Sequence, residues 1–123
     1  MIPEDVRTFL SHEISSTWML ELLLLLKTSA PRSWVADDLV AEMRGSKVIV
    51  EDSLIKLASL GVIMIAGGRI GYTAANPHDE MITKLTRIYA EHPLALIKEI
   101  LAAPNDKIRH FADAFRLKPT RPL

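Results

Sequence analysis

The sequence predicts a mainly α-helical fold with a small β-hairpin, and the observations behind this prediction lie between Ser46 and Thr73. Leucines recur there at a spacing of three, as on the buried side of an amphipathic helix. A glycine follows, and then come a β-branched apolar run, a pair of glycines and a second short run. Because β-branched residues favour strands and adjacent glycines supply the positive φ angles of a two-residue turn, the two runs are expected to pair as a hairpin.

The helix of this stretch is predicted from Lys47 to Leu60, and Gly61 ends it because glycine adopts a left-handed backbone without a steric penalty. The strands are predicted at Val62 to Ala66 and at Arg69 to Thr73, on either side of Gly67–Gly68. The inward side of the helix is expected to carry Leu54, Ile55, Leu57, Ala58 and Leu60.

A shorter helix, from Asp37 to Met43, precedes this one, and the turn Arg44–Gly45–Ser46 joins the two. Two helices joined by a short turn with a glycine are typical of a helix-turn-helix. Ser33–Trp34–Val35 is strand-like, and we expect it to form a third, small strand beside the hairpin. The predicted fold class is therefore a winged helix-turn-helix, mainly α with a small β-hairpin wing.

Further helices are predicted on both sides of this core, and residues 1–123 are expected to form a single domain. Pro3 to Ser11 and the leucine-rich stretch from Thr17 to Lys27 precede the core. The second of these is apolar around nearly its whole circumference, which is typical of a helix enclosed by other elements. Residues 17–75 thus form the helix-turn-helix and wing core. Residues 77–117 form C-terminal helices, at 79–91, at 94–103 and in a last helix that carries Ile108, Phe111 and Phe115.

Composition restricts the classes of function. The 15 basic and 15 acidic residues cancel, whereas a protein that binds nucleic acid non-specifically usually carries a basic excess. The absence of cysteine excludes disulfides, thiolate metal sites and cysteine nucleophiles, and it fits a cytoplasmic location. The apolar run Leu20–Leu26 is too short for a membrane span, which needs about 20 residues, so no membrane association is expected.

Catalytic and cofactor-binding patterns are missing from the sequence. The four histidines are scattered, and none belongs to an H-E-x-x-H pattern. His78–Asp79–Glu80 reads as the start of a helix rather than as a metal site, since acidic residues favour a helix N-terminus. We therefore expect no enzymatic activity, no metal and no cofactor.

The segment from Ser33 to Thr73 resembles the winged-helix domain of bacterial transcriptional regulators of the MarR type. The residues that carry the resemblance are D-D-L-V-A-E-M, then S-L-I-K-L-A-S-L-G-V-I, then the glycine hairpin. The whole chain also resembles a largely uncharacterised group of small bacterial winged-helix proteins. These share an E-L-L-L-L-L helix, a tryptophan before the second helix and a closing F-A-D-A-F-R-L-K, found here at Glu21–Leu26, Trp34 and Phe111–Lys118.

The resemblance implies a dimeric, cytoplasmic transcriptional regulator that binds duplex DNA. The helix from Lys47 would enter the major groove, and an arginine near the hairpin tip would reach the minor groove. The residues expected to contact DNA are Arg44, Lys47, Lys56 and Arg69.

An alternative function follows from the other outward residues of the same helix. Glu51 and Asp52 would face the phosphates, which are normally contacted by Lys and Arg. Between Pro31 and Pro77 five basic and five acidic residues balance. The alternative is a protein-interaction module without DNA binding, whose partner surface contains Ile49, Glu51 and Asp52.

The C-terminal helices carry more apolar residues than a small domain easily buries. Part of this set is expected to pack on the leucine-rich helix, and the remainder to form the two-fold interface of a homodimer. The alternative is that all of it belongs to the core. The candidates for the dimer interface are Ile82, Leu85, Tyr89, Leu94, Ile97, Ile100 and Leu101.

Overall fold

The computed structural model describes residues 2–102, and within them it contains six helices and one two-stranded antiparallel hairpin. The prediction of a mainly helical chain with a small hairpin is thereby confirmed. The predicted last helix and the F-A-D-A-F-R-L-K segment lie outside the described residues. The elements are α1 (Glu4–Glu13), α2 (Thr17–Ser29), α3 (Ala36–Met43), α4 (Lys47–Ser59), β1 (Ile63–Ala66), β2 (Arg69–Tyr72), α5 (Asp79–Glu91) and α6 (Pro93–Ala102).

Helix α2 lies at the centre of the core, as its leucine-rich sequence predicts. The Ser16 hydroxyl caps its start by accepting a hydrogen bond from the Met19 N–H at 3.1 Å. Residues on nearly every side of the helix are buried, because α4, α5, α6 and β2 all pack against it. The buried side chains of α2 are Met19, Leu20, Leu22, Leu23, Leu24 and Leu26.

The hairpin forms where the glycines predict it. Gly67 and Gly68 occupy the turn with φ angles of 58° and 77°, and Gly61 ends the helical region with a φ of 80°. These angles cost glycine little and other residues more. The expected third strand is present as a single bridge, in which the N–H groups of Trp34 and Ile70 each donate to the other's carbonyl oxygen at 2.7 Å.

Ion pairs connect α1 to α5 and to α6. Arg7 Nε of α1 lies 3.0 Å from Glu99 Oε2 of α6, and Lys84 Nζ of α5 lies 2.7 Å from Asp5 Oδ2 of α1.

Among residues 2–102 no single helix has both the length and the apolar composition to cross a membrane, although the pair α1 and α2, bent by 109°, has them in combination.

Candidate functional site

The start of α4 is fixed by a cap and by a close contact with α2. The Ser46 hydroxyl accepts a hydrogen bond from the Ile49 N–H at 3.1 Å and so satisfies a backbone donor of the first turn. Arg44 ends α3 in the left-handed region, with a φ of 55°. At Gly45 an added Cβ would stand 2.9 Å from Cζ3 of Trp18 in α2. The turn between α3 and α4 therefore packs closely on α2, which leaves the opposite side of α4 open to solvent.

That open side is both apolar and acidic. Val48 and Ile55 expose 67% and 65% of their surface. Glu51 and Asp52 lie between them along the helix and are exposed as well. Since residues three and four positions apart are neighbours on a helix surface, these four side chains form one continuous surface, here called the α4 outer face.

The sequence predicts this face only in part. Ile55 is expected on the inward stripe, and this expectation is wrong, because the buried stripe runs through Val50, Leu54 and Leu57 instead. Val48 is not predicted at all. Ile49, predicted for a partner surface, lies at the edge of the outer face and is 41% exposed.

A groove of about 320 Å³ separates α4 from the hairpin. Leu54 and Ile70 line the groove and are nearly completely buried, so they form its floor. Ile55 of α4 and Ile65 of β1 are exposed on opposite elements and form its walls. Glu51 belongs to the same lining. The site is thus an aliphatic groove with an acidic group beside it.

Two of the basic residues predicted to contact DNA lie at the start of α4. Arg44 precedes the helix and Lys47 is its first residue, and both are exposed. Backbone N–H groups at the start of a helix also attract anions. This end of α4 is therefore the part of the predicted DNA surface with the most favourable charge.

The other two basic residues point to different places. Lys56 Nζ donates to the Ser15 hydroxyl, in the connection between α1 and α2, at 3.3 Å. Arg69 turns to the segment before α3, where its Nε donates to Ser33 Oγ at 3.2 Å and its Nη2 to the Ser33 carbonyl oxygen at 3.4 Å. Both lie beside other elements rather than on the α4 outer face.

A shared carboxylate connects the hairpin to the helices. Asp79 Oδ1, at the start of α5, accepts hydrogen bonds from Lys27 Nζ at 2.8 Å and from the Tyr72 hydroxyl. The Lys27 bond, assisted by that of Tyr72, lowers the pKa of Asp79. Burial, together with the neighbouring Asp79 carboxylate, raises the pKa of Tyr72 well above its usual value. A charged carboxylate and a protonated phenol at neutral pH make this cluster a structural connection.

The residues predicted for a dimer interface divide into two groups. Ile82, Leu85 and Ile100 are buried within the chain and belong to its core, so they are not available to a second copy. Leu94 and Leu101 are exposed. The remaining two, Tyr89 and Ile97, are half-buried. A homodimer stays a prediction, with a surface smaller than the sequence indicates.

Comparisons with known proteins add no function to this geometry. No family model, curated protein or solved structure matches the chain. In the described part of the chain, no three His, Cys, Asp or Glu side chains are grouped as a metal site would require. The α4 outer face and the adjacent groove form the candidate functional site.

Proposed function

We propose that this chain is a winged helix-turn-helix module that binds a protein partner through the α4 outer face. The order of α3, a short turn with a glycine, α4 and a hairpin matches that architecture. The bridge between Trp34 and Ile70 supports it further, because it adds the small third strand of a wing.

The observation that carries the proposal is the chemistry of the α4 outer face. In a helix-turn-helix this face enters the DNA major groove, where Lys and Arg supply the phosphate contacts. Here the face presents the carboxylates of Glu51 and Asp52. One carboxylate can accept a hydrogen bond from cytosine N4, but two adjacent ones would be repelled by the phosphates on both sides.

The apolar residues of the face favour a protein. Burying the exposed parts of Val48 and Ile55 in an interface would contribute about 1–2 kcal/mol each. The cores of protein interfaces are apolar, and their rims are polar. Val48 and Ile55 supply such an apolar contact, and Glu51 and Asp52 supply charged groups that select the partner.

Duplex DNA is a second candidate, favoured by Arg44 and Lys47 at the start of α4. Fluorescence anisotropy with a random-sequence duplex at low salt separates the two candidates. For a protein-binding module, the wild-type chain does not bind at micromolar concentration, and Glu51→Lys gains salt-sensitive binding because it reverses one charge of the face. Wild-type binding that Lys47→Glu abolishes would instead establish DNA as the ligand.

The protein partner is tested with a matched pair of variants. Ile55→Arg places a bulky cation on the α4 outer face, and Thr83→Arg makes the same change at an exposed position of α5. Affinity capture from an extract of the source cells, followed by quantitative mass spectrometry, is expected to recover a partner with the wild type and Thr83→Arg but not with Ile55→Arg. Equal recovery by all three proteins contradicts the proposal.

A further inference from the structure

We propose that the partner contributes an extended segment that adds as a strand to the free edge of β1 and places an aliphatic side chain in the groove beside Ile55. This inference rests on the proposed function and specifies the conformation and chemistry of the partner. The register of the hairpin exposes the backbone of β1, the groove beside it is lined by aliphatic side chains, and Glu51 adds a negative charge.

Within residues 2–102, β1 pairs with β2 on one edge only, and its other edge is unpaired. Ile65 lies opposite Ile70, whose N–H and carbonyl groups both point away to bond with Trp34. Ile65 is therefore in a non-hydrogen-bonded pair, and its own N–H and carbonyl groups point to the outer edge. The Thr73 N–H donates to the Val62 carbonyl oxygen at 2.8 Å, which fixes the same alternation at the other end of the strand.

This outer edge is open near the hairpin tip. Met64, Ile65 and Ala66 are all exposed, so a second chain can approach the backbone. In the described part of the chain, Ile65 forms no backbone hydrogen bond outside the pair of β1 with β2. An added strand supplies the missing donor and acceptor, which is how extended peptides bind to sheet edges.

The groove gives the added strand a side-chain preference. Side chains of neighbouring strands align across a sheet, so a partner residue beside Ile65 points to the same side as Ile65 and Ile70. On that side it meets Ile55 of α4, which forms the opposite wall of the groove. The floor and walls of the groove are aliphatic and the groove has a volume of about 320 Å³, which suits Val, Ile or Leu.

Glu51, at the rim of the groove, favours a partner segment with a basic residue. Glu51 lies one helical turn, about 5–6 Å, from Ile55. Alternate residues of a strand lie about 6–7 Å apart on one side. A segment with an aliphatic residue and a Lys or Arg two positions away therefore fills the groove and pairs with Glu51 at the same time.

The test begins with a phage-displayed library of random linear peptides selected on the full-length chain. Selected peptides are expected to alternate, with Val, Ile or Leu and a basic residue two positions apart. Their binding is expected to be lost in Ile55→Arg and kept in Thr83→Arg. Glu51→Gln is expected to reduce the affinity of peptides that carry the basic residue and to leave the affinity of their alanine-substituted versions unchanged.

Strand addition itself is tested at one backbone group. Ile65→Pro removes an N–H that points away from β2, so the hairpin keeps its own hydrogen bonds, and Ile65→Ala trims the side chain but keeps this N–H. Ile65→Pro is expected to weaken binding about tenfold more than Ile65→Ala, the loss expected for one backbone hydrogen bond. Hydrogen exchange of the Ile65 amide, followed by NMR, is expected to slow when a selected peptide binds.

The outcomes separate the two proposals. If peptides bind and Ile55→Arg abolishes binding, but the Ile65 amide gains no protection and the proline and alanine variants behave alike, strand addition is wrong while protein binding by the outer face stands. If no enriched peptide depends on Ile55, both are wrong. If the wild-type chain self-associates and Ile55→Arg dissociates it, the occupant is a second copy, and the inferred partner segment is wrong.

Discussion

The chain uses its charged and apolar side chains differently in two regions. In the helical half, made of α1, α2, α5 and α6, lie all four ion pairs found among residues 2–102. In the hairpin half, made of α3, α4 and the hairpin, lie five of the seven exposed large apolar residues of the described chain. These five are Val48, Ile49, Ile55, Met64 and Ile65.

The two halves thus differ in whether their charged and apolar side chains contact other parts of the chain or face solvent. Lys27 and Asp79 bond to each other across two helices, so their charges act within the chain. Glu51, Asp52 and Ile55 face solvent, where a charge or a methyl group contributes little to folding. Exposed apolar residues grouped on one surface are typical of a binding site.

The largest expected effect tests this division within a single helix. Leu57 is completely buried and Ile55, two positions earlier, is mostly exposed. Leu57→Ala is expected to lower the free energy of unfolding by about 3 kcal/mol, because it leaves a cavity in the core. Ile55→Ala is expected to change it by less than about 0.5 kcal/mol. Urea denaturation followed by circular dichroism measures both, and comparable losses would mean that Ile55 is covered in the folded chain.

The second effect concerns the turn that shapes the hairpin. Gly68 has a φ of 77°, whereas Gly71 has no such angle, and an added Cβ would meet open space at both positions. Gly68→Ala is therefore expected to cost about 1–2 kcal/mol from the left-handed backbone alone. Gly71→Ala serves as the control and is expected to be neutral or slightly stabilising. Thermal unfolding at the same pH measures both variants. Equal losses of stability in Gly68→Ala and Gly71→Ala would contradict the role of the turn in specifying the hairpin.

Element order and type follow from local sequence signals, and the orientation of α4 does not. The glycine pair predicts the turn, and the serine before α4 predicts its cap, because each acts within a few residues. Apolar residues occur around most of α4, so their spacing does not decide which side is buried. Packing against α2 decides it, and Ile55 consequently turns outwards. The pairing of Lys27 with Asp79 depends on chain segments 52 positions apart, and no local pattern reports it.

A smaller effect is expected at the connection between the two halves. Tyr72→Phe removes the hydroxyl that donates to Asp79, and it is expected to cost about 1 kcal/mol. Because the pKa of Tyr72 is raised in the folded chain, its contribution is complete below pH 10 and is lost as the pH rises through the folded value. Tyr89→Phe is the control, since its hydroxyl lies 3.3 Å from Glu21 Oε2 in a longer bond. Urea denaturation at neutral and alkaline pH measures the free energy of unfolding of both variants. A larger loss in Tyr89→Phe than in Tyr72→Phe would contradict this assignment.

The smallest effect is expected at the ion pair of Lys84 with Asp5, where both side chains are about half-exposed. The hydrogen bond from Lys84 lowers the pKa of Asp5, so the pair stabilises the fold above the ordinary aspartate pKa and is lost as the pH falls through the lowered value. Lys84→Gln is expected to raise the pKa of Asp5 towards its ordinary value while Asp79, bonded to Lys27, keeps its lowered pKa. Added salt should reproduce the change at Asp5 and leave Asp79 nearly unaffected, because solvent and ions screen exposed pairs most strongly. Carboxyl resonances followed by NMR through an acid titration report both residues in one experiment. Parallel shifts at Asp5 and Asp79 would show that the two pairs are equally screened and that the junction between α2, α5 and the hairpin is no more protected than the surface.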